Sequence, residues 1–193
     1  MQIWRPRICP FHRLIQLVPP ASRVLDVGCG SGLFLGLLAV SDRISHGYGF
    51  DANPDAIKLA QKMRSSIEKG GLLWFEHIEV EQPWPNERFD VVSMIDVMHH
   101  IPLRNREDVI RTIASRLAPG GLFLYKDMVR RPLWRAWANR LHDFVITAEW
   151  IRYAPLESVV HWVRQAGMEL LHYERIDMLW YGHELCVFRR SSC

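Results

Sequence analysis

Gly28, Gly30 and Gly32 alternate behind Asp26 in the run Arg23-Val24-Leu25-Asp26-Val27-Gly28-Cys29-Gly30-Ser31-Gly32, and these are the residues whose types and spacing could hold a ligand. Without a Cβ the loop can turn sharply and let backbone approach a bound molecule. The apolar run Leu33 to Val40 behind it then supplies a helix whose first N–H groups lack intrahelical partners and face the ligand's polar end. A second carboxylate, Asp51, lies 23 residues after Gly28, where Gly47-Tyr48-Gly49-Phe50-Asp51 ends. An acid at about 20 residues from such a loop accepts hydrogen bonds from ribose hydroxyls in nucleotide-binding βαβ units. The sixth position of a dinucleotide fingerprint needs glycine, and Leu33 stands there, so the spacing argues against NAD.

A second group of residues could move protons. His99 and His100 follow the run Phe89 to Ile95, Asp127 ends the run Leu122 to Asp127, and His142 and His183 come later. Each is a candidate general base, and each could equally be a hydrogen-bonded structural residue. The cysteines Cys9, Cys29, Cys186 and Cys193 show no paired spacing, so neither a metal site nor a disulfide framework is expected. Cys29 reads as small-residue filler in the glycine loop.

Asp26 with the G-x-G-x-G loop resembles motif I of the class I S-adenosylmethionine (SAM) dependent methyltransferases. Phe89-Asp90-Val91-Val92 through His99-His100-Ile101 is similar to the FDVV…HHI segment of many small-molecule members, and Leu117-Ala118-Pro119-Gly120-Gly121 follows in the family's order. The resemblance covers roughly residues 21 to 127. It implies SAM as cofactor, held by Asp26, Gly28, Cys29, Gly30, Gly32, Asp51, Ala52, Ile78, Glu79 and Ile95. The chain departs from the family where a loop acid contacts the adenine amino group: Ile78 falls near that position, so Glu79 or Glu81 substitutes, Glu79 being preferred.

The elements that must position these residues alternate between strand and helix. Runs 23–27, 47–51, 72–78, 89–95 and 122–127 read as strands, and helices are marked by apolar spacing at Ala56, Ile57, Ala60, Met63 and Ile67 and at Val109, Ile110, Ile113 and Leu117. Gly70-Gly71 and Pro119-Gly120-Gly121 are expected to close those two helices. Leu156 to Ala166 is the last helix, ended by Gly167, and Met168 to Ile176 and Glu184 to Arg189 are the last two strands. The expected fold is a three-layer doubly wound α/β sandwich with a seven-stranded, mostly parallel sheet, an antiparallel last strand and helices on both faces. Ligands in such a sheet sit beyond the strand carboxyl ends.

At 193 residues and 49% hydrophobic content the chain fits one domain, residues 1–193, with an N-terminal helix in 1–20 and a cap insertion over 128–154. Trp134 and Trp137 lie on the apolar stripe of that cap. Trp180 and Tyr181 lie in an apolar stretch, 177–183, that reads as a loop on the ligand side, so these four aromatics are the candidate acceptor contacts. A net charge of +3 permits an anionic partner without demanding one. No apolar run suits a membrane crossing or a signal peptide, so the expected location is cytoplasmic.

The reading is therefore methyl transfer from SAM to a small apolar or aromatic acceptor, free or bound to a carrier protein. No metal is called for, nucleic acid is disfavoured, and a membrane surface is left open. RNA or protein methylation and a non-catalytic SAM-binding module are the alternatives; turnover of an acceptor separates the last from the rest.

Overall fold

The computed structural model describes residues 9–128, 154–178 and 181–192. Its strands are β1 Ser22–Val27, β2 Ile44–Asp51, β3 Leu73–His77, β4 Phe89–Ile95, β5 Leu117–Met128, β6 Met168–Met178 and β7 Tyr181–Arg190. They make one seven-stranded sheet in the order β3-β2-β1-β4-β5-β7-β6. Only β7 is antiparallel, against both β5 and β6, as expected for the last strand. The helices are α1 Phe11–Leu17, α2 Leu33–Val40, α3 Pro54–Ser66, α4 Arg106–Arg116 and α5 Leu156–Gln165.

Alternation along each strand sends successive side chains to opposite faces, and both faces are covered. Leu25, Val92, Met94, Phe123 and Tyr125 pack on one side with Val109, Ile110 and Ile113 of α4 and Val159 and Val163 of α5. Val24, Val91, Leu124 and Val187 pack on the other with Leu14 of α1, Phe34, Leu35 and Leu38 of α2, and Ile57 and Ala60 of α3. Two cores thus sandwich the sheet in three layers. Each fully buried Leu or Phe contributes about 1.5–3 kcal/mol, which explains why α2, apolar almost all round, still docks as a helix.

Three local boundaries differ from the sequence reading. α3 ends at Ser66 and a 3₁₀ turn occupies Glu68–Leu72. Gly70 is needed there because a Cβ would come within 1.8 Å of the Arg64 carbonyl oxygen, a close approach and not a helix cap. β5 pairs with β4 already at Leu117 opposite Phe89, then shifts and resumes at Leu122 opposite Val91. Ala118 to Gly121 is therefore an excursion inside the strand, turned at Gly120, whose φ is +74°. Finally, the expected loop over 177–183 is mostly hairpin: Asp177 pairs with Gly182, Met178 with Tyr181, and Ile176 with His183. Backbone pairing carries both strands as far as Met178 and Tyr181.

Candidate active site

The strand order reverses beside β1: the chain steps outward through β2 and β3, then returns to place β4 on β1's other side. The carboxyl ends of these four strands open on a cleft of about 690 Å³. Val27, Gly28 and Gly30 form its wall below β1. Phe50, Asp51 and Ala52 line it at the end of β2, Ile78, Glu79 and Glu81 beyond β3, and Asp96, Val97 and His100 beyond β4.

The β1–β2 side is shaped by backbone. Gly28, Gly30 and Gly32 have φ of +69°, +55° and +75°, the left-handed region where a side chain is costly. Space forbids one too: a Cβ on Gly28 would lie 2.4 Å from Val97 Cγ2, and one on Gly32 2.6 Å from Phe75 Cζ. The loop is tied to β2 by Cys29 N–H donating to the Phe50 carbonyl at 2.9 Å. Asp51 completes the tie, because Gly30 N–H donates to its Oδ2 at 2.8 Å and Asn53 N–H to its Oδ1 at 2.9 Å. Asn53 in turn caps α3 by accepting from the Asp55 and Ala56 N–H groups, with Pro54 at the first helical position.

Several expected cofactor residues lie behind this wall. Asp26 is buried and accepts from Ser93 Oγ at 2.7 Å. Cys29 is buried beneath the loop, where its Cβ would crowd any side chain at position 49. Ile95 belongs to the core on the α1–α3 side of the sheet. Gly32 sits at the mouth of α2. Ile78 and Glu79 are on the wall, and Glu81 is held by Asn105 Nδ2 at 2.5 Å.

The β4–β5 side is built from buried charge. Lys126, 1% exposed, donates from Nζ to both carboxylate oxygens of Asp96 at 2.7 Å, and Asp96 N–H donates to the Lys126 carbonyl at 2.8 Å. Asp96 holds a left-handed φ of +58°. Burial pushes its carboxyl up, but the charge and hydrogen bonds of Lys126 outweigh that and keep it below the ordinary carboxylate range. Next to this pair, His99 Nδ1 lies 2.6 Å from Asp127 Oδ1, both side chains buried. Asp127 also accepts from Met128 N–H at 2.8 Å and from the Tyr125 hydroxyl at 3.4 Å. Burial, with Asp127 adding, pushes the Tyr125 hydroxyl well above its usual range. Arg106, buried, donates from Nε to the Ile101 carbonyl at 2.8 Å and so pins the segment carrying both histidines. The His100 ring, on the cleft wall, lies 4.2 Å from that of His99.

A family model for the methyltransferase domain matches residues 3–173. The chain belongs to this family. Among its relatives, a fatty-acid O-methyltransferase of Mycolicibacterium smegmatis is 36% identical over 63% of this chain and 42% of its own length. A ubiquinone biosynthesis O-methyltransferase of Marinobacter nauticus is 28% identical over 77% of this chain and 64% of its own. The chain thus spans less than two thirds of either relative. The N-methyltransferase NodS of Bradyrhizobium japonicum, solved in complex with S-adenosylhomocysteine, superposes with a TM-score of 0.72 at 18% identity over 97% of this chain and 91% of its own, which shows the shared fold.

Within this methyltransferase domain the structure pairs His99 with Asp127 and places His100 on the cleft. Trp134, Trp137, His142 and Trp180 lie outside the described residues, and Tyr181 stands in β7 opposite Met178. Lys126 is the residue that the sequence reading passed over. Its signal was present: a lysine inside a strand buried on both faces requires a charged partner.

Proposed function

We propose that this domain transfers a methyl group from SAM to a small apolar or aromatic acceptor, free or carried on a carrier protein, and works as one cytosolic domain. The observation that carries the reading is Asp51: two backbone N–H groups fix its carboxylate on the cleft wall beside a glycine loop that admits no side chain. That donor and acceptor set fits a nucleoside. Asp51 accepts from the ribose hydroxyls, Ala52 and Ile78 offer apolar contact to the base, Glu79 reads its amino group, and the loop residues Gly28 to Gly32 approach the chain that links ribose to sulfur. Asp26, Cys29 and Ile95 support that loop from behind.

When bound, the cofactor supplies an electrophilic methyl group, so the protein's task is to orient and to exclude water. A carboxylate only accepts hydrogen bonds, so Asp127 fixes the proton on His99 Nδ1 and makes Nε2 the basic atom. His99, or His100 on the cleft wall, is then the candidate to take a proton from an O–H or N–H acceptor, with His142 as a further candidate. Trp134, Trp137, Trp180 and Tyr181 are assigned to the acceptor. No helix among the described residues is long and apolar enough to cross a membrane.

The test is calorimetry against SAM, S-adenosylhomocysteine and NAD, followed by turnover of methyl-labelled SAM with a panel of hydroxyl, carboxyl and amine acceptors. Binding of the first two without NAD, and label transfer to a small acceptor, is the expected result. Tight NAD binding would sink the cofactor assignment, and SAM binding without any transfer, to small acceptors, RNA or protein, would leave a binding module.

A further inference from the structure

We propose that the corner where β4 and β5 begin and β7 ends is a binding site for a phosphate group, built by Arg88, Arg116 and Arg190. The amino end of the sheet brings the three together. Arg88 immediately precedes β4, Arg116 is the last residue of α4, and Arg190 is the last of β7. Arg88 Nη1 donates to the Leu117 carbonyl at 3.0 Å, and Arg190 Nη1 donates to the same oxygen. Two nitrogens that share one acceptor lie within about 6 Å of each other. Arg116, one residue before Leu117, donates from Nη1 to Asn86 Oδ1 at 3.3 Å, and its Nε is buried without a hydrogen bond among the described residues.

Among the described residues these three guanidiniums donate only to neutral acceptors, and none pairs with a carboxylate. The nearby acids are already engaged: Glu87 pairs with Arg23, Asp90 accepts from the Arg23 N–H at 2.8 Å, and Glu169 holds Arg189. One arginine is enough to satisfy the Leu117 carbonyl. The second adds like-charge repulsion, which an anion between the two relieves. A carboxylate brings one charge and two oxygens, enough for one arginine fork. A phosphate monoester brings a charge of about −1.5 to −2 and three acceptor oxygens, which several forks can share. Arg116 also lines a groove of about 480 Å³ between α4 and residues 80–84, with Trp84, Val109 and Thr112 along it, so the group that carries the phosphate has room to lie there. Of the groove's carboxylates, Asp108 is neutralised by Arg111 at 2.9 Å, and Glu81 stands at the far end beside Asn105. The corner lies a strand's length from the cleft, about 20 Å at roughly 3.3 Å per residue of β4, so the site is separate from the catalytic one.

The experiment is calorimetry on the full chain with inorganic phosphate and pyrophosphate, repeated with Arg88→Gln, Arg116→Gln and Arg190→Gln. Arg88 and Arg190 back each other on Leu117, so either single variant leaves that carbonyl a donor, and melting curves check the fold. The control K58Q/K62Q removes two charges from α3, on the other face of the sheet. Pyrophosphate should bind one to one, about tenfold more weakly in each arginine variant, the loss of a charge-assisted hydrogen bond, and within about twofold of the unaltered protein in the control. Vesicles of phosphatidylcholine with and without phosphatidic acid separate the two sources of such a group. Binding to the phosphatidic acid vesicles alone, displaced by pyrophosphate, assigns the site to a lipid headgroup; vesicle binding that is absent or not displaced assigns it to a soluble phosphate. No binding of either anion by the unaltered protein, an equal loss in the control, or unchanged affinity in any of the three arginine variants would each overturn the site.

Discussion

The two halves of the ligand edge solve the same problem by opposite means. Around β1 and β2 the wall is backbone: three glycines at positive φ and a carboxylate fixed by N–H groups. Around β4 and β5 it is side-chain charge taken out of water, Asp96 against Lys126 and His99 against Asp127. The first design tolerates no added atom, and the second tolerates no lost partner. Backbone geometry suits a ligand that is always the same, while buried charge fixes where a proton can be held.

The largest effect is expected where one partner of a buried pair is removed. Lys126→Met leaves the Asp96 carboxylate buried and unpaired, and should cost about 3–5 kcal/mol in urea unfolding, most of it recovered in D96N/K126M. The same pair sets a pH dependence. The Asp96 carboxyl is depressed in the folded state, so its contribution is present above the unfolded pKa of about 3.9 and is lost as pH falls through the lower folded value. Acid titration of stability should accordingly be steeper for the unaltered protein than for the double variant. Equal slopes would mean that the pair contributes nothing there.

Adding one atom to the other half should cost somewhat less. Gly28→Ala meets the left-handed penalty of about 1–2 kcal/mol and must also displace Val97, which adds about 1 kcal/mol or more. Val97→Ala in the same chain should restore part of that loss, and no restoration would show that the φ alone matters. Asp51→Ala should weaken SAM binding by about 1.5–3 kcal/mol, or roughly tenfold to a hundredfold, in calorimetry. Unchanged affinity in a folded variant would remove Asp51 from the site. The smallest effect is expected at Asn53→Ala, about 1 kcal/mol from the lost cap, with the melting curve as its measure.

The comparison also marks what the sequence makes legible. The glycine loop and Asp51 are local signals, a spacing and a strand end, and the structure places them as read. The Asp96–Lys126 pair depends on β4 and β5 lying side by side with Ile95 opposite Lys126, a register that no single stretch displays. His99 and Asp127 were visible as separate candidates for the same reason, but not as partners. The stretch 177–183 reads as a loop, whereas Asp177 pairs with Gly182 and Ile176 with His183, so the ladder continues through most of it. The seven strands and the flanking helices were legible because strands covered on both faces must be apolar almost throughout. Gly70 and Gly121 were misplaced since their need for a missing Cβ comes from Arg64, Ala118 and Asp90 carbonyls, which only the folded chain brings near.

The insertion of β7 between β5 and β6 has a consequence for how the molecule is made. β6 precedes β7 in the chain, yet among the described residues its one sheet neighbour is β7. Until β7 has emerged from the ribosome, β6 lacks its partner among the described strands, so it cannot join the sheet in order of synthesis. Closing the β5–β7 ladder joins segments distant in sequence, a slow step in any folding reaction. A nascent chain stalled before Tyr181 should therefore be cut by protease within β6 while β1 to β4 are already protected, and protection of β6 should appear only with β7.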